Sequence, residues 1–202
     1  MTRAPIPQRL VGIWRREAIV LHDHPAFDDA PFETSDVLWF QGPSHYVDLR
    51  LARLPDAAAE ALGGLEAFGG PNRLTGATLR FAHEIDLGGG IEDDVGEIEF
   101  DGDRLLERGR ATVRGVRFAF TEHWRRFGAG DEARELTRRD AAGVSGFAIR
   151  IGSEELRIVR EPGGAVGVLH RELSGTPRTC MSIGAVDGAL HGDWIPVPTG
   201  TA

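Results

Sequence analysis

Hydrophobic and polar residues alternate along most of this chain with a period of two, which is typical of β-strands that bury one face. About a dozen segments show the pattern: 10–20, 36–41, 45–52, 76–87, 93–100, 103–109, 112–126, 133–139, 145–151, 154–161, 165–173 and 178–185. The turn signals between them, such as Asp101-Gly102, are short. Parallel strands need longer crossover connections. The sequence therefore predicts an all-β fold with an antiparallel, up-and-down sheet.

A sheet with this many strands has two exposed edges unless it closes on itself. Closure removes the edges, so we predict a single β-barrel domain over residues 1–202, with about ten to twelve strands. A barrel of more than about eight strands encloses more volume than its own side chains fill. We therefore expect a central cavity, and the mouth of a barrel is a common ligand site.

One short helix is predicted, over residues 56–68. Pro55 precedes it, the Asp56 side chain can cap its first turn, and Gly69-Gly70 is a stop signal. The helix falls in the longest connection between strands, at roughly 54–75. That connection is either a lid over one end of the barrel or a plain connector with a surface helix.

The chain carries a net charge of −8, and all of its 23 basic residues are arginines. An acidic chain argues against binding to nucleic acid and against a polybasic contact with a membrane. The lack of lysine excludes a Schiff-base lysine and the lysine of a phosphate-binding P-loop. No segment has the pattern of a signal peptide or approaches about 18 consecutive apolar residues. We therefore expect a cytoplasmic protein.

Few residues suggest a metal, a cofactor or a nucleophile. Cys180 is the one cysteine, which excludes an intrachain disulfide and a Cys-rich zinc site, and we expect it to be a small core residue. His22 and His24 lie in an acidic segment that is typical of a surface loop. The sequence contains no GxSxG, HExxH, GxGxxG or P-loop motif. We expect neither a metal nor a cofactor.

Two sets of residues are similar to known families. Gly12-Ile13-Trp14 on the first strand resembles the GxW motif of lipocalins and other calycins. A longer series within residues 10–126 comprises Val37-Leu38-Trp39-Phe40-Gln41, Tyr46-Val47-Asp48-Leu49-Arg50, His83-Glu84-Ile85-Asp86, Asp94-Val95-Gly96-Glu97, Leu106-Glu107-Arg108-Gly109 and Glu122-His123-Trp124-Arg125-Arg126. This series resembles a family of bacterial and fungal proteins related to the yeast protein Hri1. The resemblance implies a calycin-like, lipocalin-like barrel and implies no activity.

Two ionisable residues occupy the apolar phase of predicted strands. His83 lies between Phe81 and Ile85, and Glu122 is in phase with Trp124. In a low-dielectric cavity such groups have shifted pKa values and can act as acid or base. We therefore predict His83 and Glu122 as a catalytic pair for proton transfer. The alternatives are a histidine hydrogen-bonded inside the core and a glutamate paired with an arginine.

Residues 42–44 form the turn of a predicted hairpin. A three-residue turn pairs Gln41 with His45 and Trp39 with Val47. This register, which we favour, gives one wholly apolar face: Val37, Trp39, Val47, Leu49 and Leu51. A register that differs by one residue puts three polar side chains on the Trp39 face instead: Tyr46, Asp48 and Arg50.

The alternation of Tyr46, Asp48 and Arg50 is either a solvated face with an ion pair or a polar patch. Such a patch recognises a carboxylate or a carbonyl group through the Arg50 guanidinium. We predict that the ligand-binding residues of the barrel are Trp39, Gln41, Tyr46, Asp48, Arg50 and Trp124.

Three functions fit these predictions. In the first, which we favour, the barrel binds a small, largely apolar molecule between Trp39 and Trp124, with a few polar anchors. In the second, it is a cofactor-independent isomerase, cyclase or lyase that uses His83 and Glu122. In the third, its own side chains fill the barrel, and it is an interaction protein that forms a homodimer through a strand edge or the barrel wall. The sequence leaves the ligand, the reaction and the oligomeric state open.

Overall fold

The computed structural model describes residues 6–25, 27, 29–33, 35–52, 66–88, 93–113, 116–129, 133–139, 141, 143–174, 178–183, 190–191 and 193–197. Within these ranges the strands are β1 (Gly12–His22), β2 (Ser35–Gln41), β3 (His45–Ala52), β4 (Glu66–Thr75), β5 (Thr78–Phe81), β6 (Ile85–Asp86), β7 (Asp94–Asp101), β8 (Arg104–Val113), β9 (Val116–Ala129), β10 (Arg134–Arg139), β11 (Ser145–Ile151), β12 (Glu154–Arg160), β13 (Val166–Glu172), β14 (Arg178–Ile183) and β15 (Ile195–Pro196). In this part of the chain no helix has the length and apolarity required to cross a membrane.

Eight strands form a closed antiparallel barrel. Hydrogen-bonded neighbours follow the order β3-β2-β1-β9-β8-β7-β5-β4, and a further pairing between β3 and β4 closes the ring. The two-residue strand β6 also pairs with β4. The predicted antiparallel barrel is confirmed, but it has eight strands where the sequence predicted ten to twelve.

The later strands form a second, six-stranded antiparallel sheet in the order β14-β13-β12-β11-β10-β15. This sheet packs against the outer face of β2, β3 and β4 through an apolar cluster that includes Phe40, Leu49, Ile149 and Ile158. Both sheets have the same period of two, so periodicity could not assign these strands to a separate sheet. The expectation of one domain stays a prediction. Cys180 lies on β14. Its side chain is outside the described part of the structure, so its place in the core stays a prediction.

The β2–β3 hairpin takes the register that puts its polar side chains on the Trp39 face. Trp39 pairs with Asp48, and Gly42 N donates to His45 O at 2.9 Å, so the turn contains two residues rather than three. The favoured apolar register is wrong because both faces of the hairpin are covered. One face lines the barrel and the other packs under the second sheet. The number of apolar residues on one face of the hairpin therefore does not distinguish the two registers.

The predicted helix over 56–68 falls mostly outside the described residues, and its last three residues begin strand β4. Gly69 and Gly70, which were expected to end the helix, lie inside β4 and pair with β3. A Cβ at Gly70 would overlap the carbonyl oxygen of Ala82. Glycine is required here because another backbone segment approaches closely, and not because a helix ends.

One end of the barrel is filled with large side chains. Trp14, Trp39, Trp124 and Tyr46 are each at most 2% exposed. Leu10, from the segment before β1, packs against this cluster and accepts a hydrogen bond from Trp14 Nε1 at 2.8 Å. The space that remains inside the barrel lies toward the opposite end, where β1 ends and β9 begins.

Candidate functional site

A cavity of about 680 Å³ occupies this second end of the barrel. Small-molecule sites usually have volumes of about 300–1,000 Å³. All eight barrel strands contribute side chains to the lining, which consists largely of aromatic and charged residues. The aromatic residues are Trp39, Phe68, Phe81, Phe118, Phe120 and Trp124.

The two tryptophans of the lining pack edge to face. Their ring centroids are 5.5 Å apart and their planes meet at 70°. Trp39 Nε1 donates to Gln41 Oε1 at 3.1 Å, whereas Trp124 Nε1 is buried and has no acceptor among the described residues. A buried donor without an acceptor is costly. A ligand atom that accepts this hydrogen bond would remove the cost.

Glu122 is held by a buried arginine that the sequence analysis did not single out. Arg16 Nη1 donates to Glu122 Oε1 at 2.5 Å, and the same guanidinium makes two hydrogen bonds to Glu33, at 2.7 and 3.2 Å. All three side chains are at most 9% exposed. Arg16 is in phase with the inward Trp14, and the register of β1 with β9 shifts between Arg16 and Ala18, so that Ile19, three residues on, also faces the cavity.

Arg50 lines the cavity, whereas Arg16 lies beside it. Arg50 Nε donates to Asp48 Oδ1 at 3.1 Å, and its Nη1 lies 3.8 Å from Glu122 Oε1. The guanidinium carbon is 4.9 Å from the centre of the Phe68 ring, which is cation–π geometry. Burial raises the pKa of Asp48, and the charge of Arg50 opposes that increase. The polar patch of the hairpin is therefore an internal ion pair and not a solvated face.

His83 lies between two aspartates and against an aromatic ring. Its Nδ1 is 3.0 Å from Asp86 Oδ2. Its Nε2 is 3.4 Å from Asp94 Oδ2, without the geometry of a hydrogen bond. The imidazole stacks on Phe68 with centroids 4.2 Å apart. Burial lowers the pKa of His83, but the hydrogen bond to Asp86 and the charge of Asp94 outweigh it and raise the pKa to about 9.

The strand predicted over 76–87 is wrong around His83. β5 ends at Phe81 and β6 begins at Ile85, so residues 82–84 form a short link. Because this link is not extended, His83 and Asp86 meet, although strict alternation would put them on opposite faces. The structure therefore gives His83 a charge partner that a regular strand would not provide.

We expect the His83 imidazole to remain protonated at neutral pH in solution. A raised folded-state pKa means that its contribution to stability is complete below the ordinary value of 6.5 and is lost as the pH rises toward about 9. An NMR titration of the histidine side chains checks this, with H83Q to assign the signal. Asp86→Asn should lower the pKa of His83 by about one unit or more, and Glu84→Gln, at an exposed neighbour, should leave it unchanged. A His83 that titrates near 6.5 contradicts the assignment.

Glu107 is the most unusual carboxyl group of the cavity. Its residue is 5% exposed, and among the described residues it has neither a salt bridge nor a hydrogen bond. Burial and the nearby charges of Glu122 and Asp94 raise its pKa well above the ordinary value. Burial without a cation in contact therefore favours the protonated form of the Glu107 carboxyl group.

Sequence reasoning missed Glu107, although a signal was available. Glu107 is in phase with Leu105, a buried core residue. On the neighbouring strand, a Cβ at Gly96 would overlap the Glu107 side chain. A long acidic residue in the buried phase, beside a glycine on the next strand, indicates an inward carboxyl group.

The structure brings six of the eight predicted site residues to one cavity: His83, Glu122, Trp39, Asp48, Arg50 and Trp124. Gln41 and Tyr46 are buried but do not line it. Gln41 accepts from Trp39 and Asn72, and Tyr46 Oη donates to Ala82 O at 3.3 Å. The roles proposed for the six remain predictions. The other ionisable residues that line the cavity were not among the predicted site residues: Glu66, Asp86, Asp93, Asp94, Glu107, Arg110 and Arg117. Arg16 and Glu33 lie beside it.

Comparison with known proteins supports the fold and not a function. No family model matches this sequence, and no curated protein matches it. The structure is similar to the crystal structure of the uncharacterized protein YLR301w from Saccharomyces cerevisiae, with a TM-score of 0.64 and 14% sequence identity. The similarity covers 86% of this chain and 85% of that protein. The barrel implied by the family resemblance is confirmed, and membership of the Hri1-related family stays a prediction.

Proposed function

We propose that this barrel binds a small organic molecule in the cavity at its second end. The observation that carries the proposal is the cavity of about 680 Å³, which the core side chains leave unfilled and which six aromatic rings and several buried charges line. A pocket with apolar walls and a few fixed polar groups is the usual form of a small-molecule site.

The polar groups are positioned before a ligand arrives. Arg16 and Arg50 hold Glu122 and Asp48 in place, and Asp86 orients His83. A ligand therefore does not have to order these side chains, which lowers the cost of binding. The unpartnered Trp124 N–H offers one further directional contact. The cavity also argues against the third alternative, a barrel filled by its own side chains.

The test is a panel of fluorescent hydrophobic dyes, with displacement by unlabelled aromatic compounds. We expect saturable binding to the purified protein and a loss of about tenfold or more in Ala111→Phe, because Ala111 lines the cavity and a ring there occupies its volume. Ala119→Phe is the matched control. Phe118 and Phe120 line the cavity, so alternation turns Ala119 outward. No saturable binding, or equal losses in both variants, contradicts the proposal.

A cofactor-independent enzyme is the second candidate, and Glu107 favours it. Glu107, whose pKa is raised, and Glu122, which Arg16 binds, place two carboxyl groups with different environments in one cavity. In the predicted pair of His83 and Glu122, His83 is suited to act as the acid, because a pKa of about 9 keeps it protonated at neutral pH. Mass spectrometry of a bound compound after long incubation separates the two functions. A chemically unchanged compound supports binding, and conversion that Glu107→Gln abolishes supports catalysis.

A further inference from the structure

The charges that line the cavity are unbalanced. Among the described residues, seven carboxyl groups line it, against three guanidinium groups and one imidazole. Two of the guanidiniums, on Arg110 and Arg117, belong to exposed residues and have no ion pair with the described carboxylates. Asp94 is half exposed as well, which leaves six carboxyl groups against Arg50 and His83 among the less exposed lining residues.

The inward cations already have carboxylate partners. Arg50 contacts Asp48 at 3.1 Å and lies 3.8 Å from Glu122. His83 lies between Asp86 and Asp94. Arg16, beside the cavity, bonds Glu122 and Glu33. None of these cations contacts Glu107, so this carboxyl group lacks a partner in the described part of the chain.

The aromatic lining suits a positive charge as well. The faces of aromatic rings attract cations, and the attraction strengthens when water is excluded. The cavity already contains one such contact, because the Arg50 guanidinium lies 4.9 Å from the Phe68 ring centre. A ligand with an apolar body and an ammonium or similar group would find rings for the body and a carboxyl group for the charge.

We propose that the ligand of this cavity is an organic cation, whose positive charge lies against the Glu107 carboxylate. This inference rests on the proposed function and specifies the chemical class of the ligand. A bound cation supplies the charge partner that Glu107 lacks. Binding then lowers the pKa of Glu107, because the ionised form is the one that the ligand stabilises.

The experiment compares three naphthalene compounds of similar size by isothermal titration calorimetry at pH 7.5: 1-naphthylmethylammonium, neutral 1-naphthylmethanol and anionic 1-naphthoate. We expect the ammonium compound to bind about tenfold more tightly than the alcohol, and the carboxylate to bind most weakly. Glu107→Gln, which mimics the protonated side chain, should weaken ammonium binding about tenfold and change alcohol binding less than about twofold. Glu97→Gln, an exposed position on the neighbouring strand β7, is the charge-matched control and should change neither.

The same titrations in two buffers of different ionisation enthalpy measure the protons exchanged. We expect a net release of protons when the ammonium compound binds to the wild type and none in Glu107→Gln. The groups that face Glu107 are Glu122 on β9, Asp94 on β7, and Asp48 and Arg50 on β3. Proton release that persists in Glu107→Gln would come from one of them and would overturn the assignment to Glu107.

The outcomes separate this inference from the proposed function. If the alcohol binds as tightly as the ammonium compound, or if Glu107→Gln leaves their ratio unchanged, the cavity is a ligand site but not a cation site. If none of the three compounds binds and the dye panel also fails, the proposed function is wrong. Circular dichroism of each variant checks that it folds.

Discussion

Arg16→Met is expected to lower the free energy of unfolding by about 3–5 kcal/mol, because it leaves buried carboxylates without their charge partner. Arg16 is 4% exposed and bonds both Glu33 and Glu122. Without it, Glu122 shares the cavity with Asp48 and Glu107, and only Arg50 remains close, at 3.8 Å. Urea denaturation followed by tryptophan fluorescence measures the change.

Two further variants make this test specific. Arg15→Met removes the neighbouring arginine, whose ion pair with Asp36 is about half exposed, and should cost at most about 1 kcal/mol. The double variant Arg16→Met with Glu122→Gln should recover part of the loss, since the second change neutralises one orphaned carboxylate. A loss in Arg16→Met no larger than that in Arg15→Met would mean that the cavity does not depend on a buried ion network.

Glu135→Ala is expected to cost about 3 kcal/mol, because one carboxylate joins the second sheet to the barrel. Glu135 lies on β10 and accepts hydrogen bonds from Ser44 N at 2.5 Å, Ser44 Oγ at 2.5 Å and His45 N at 2.7 Å. These donors belong to the β2–β3 turn of the barrel. The alanine variant leaves them without an acceptor. Glu99→Gln, at an exposed position on β7, should change stability little.

The cost of Glu135→Ala should shrink in acid. Burial raises the pKa of Glu135, but hydrogen bonds from His45 and Ser44 outweigh it and lower the pKa below its ordinary value. Its contribution is therefore complete above the ordinary carboxyl pKa and is lost as the pH falls through the lower folded-state value. Denaturation curves between about pH 7 and pH 3 should show the wild type and the variant converging. A difference that does not change with pH contradicts the ionised-acceptor role.

Local sequence signals were sufficient where one face of a strand is buried and the other is exposed. On β9 the alternation of Phe118, Phe120, Glu122 and Trp124 correctly predicted the inward face. The signals were insufficient where both faces are covered, as in the β2–β3 hairpin, because either register buries apolar residues. They also could not separate the barrel from the second sheet, since that division depends on which distant strands close the ring.

Strand alternation also predicted some of the ionisable residues of the cavity. Ionisable residues in an apolar phase, His83 and Glu122, indicated inward groups without their partners. The partners depend on irregularities that no period reveals. A bulge after Arg16 puts it out of phase with the inward Ile19, and His83 reaches Asp86 because the strand breaks between β5 and β6. These ion pairs could therefore be identified only from the structure.

The most direct test of the account observes the four tryptophan indole N–H signals by ¹H–¹⁵N NMR during titration with 1-naphthylmethylammonium. Trp124 lines the cavity and has no acceptor in the described part of the chain, whereas Trp194, on the second sheet's far side, donates to Leu190 O. We predict a saturable shift of the Trp124 signal while that of Trp194 stays in place. An unmoved Trp124 signal at saturation, or equal shifts of both, would show that the barrel cavity is not the site where small molecules bind.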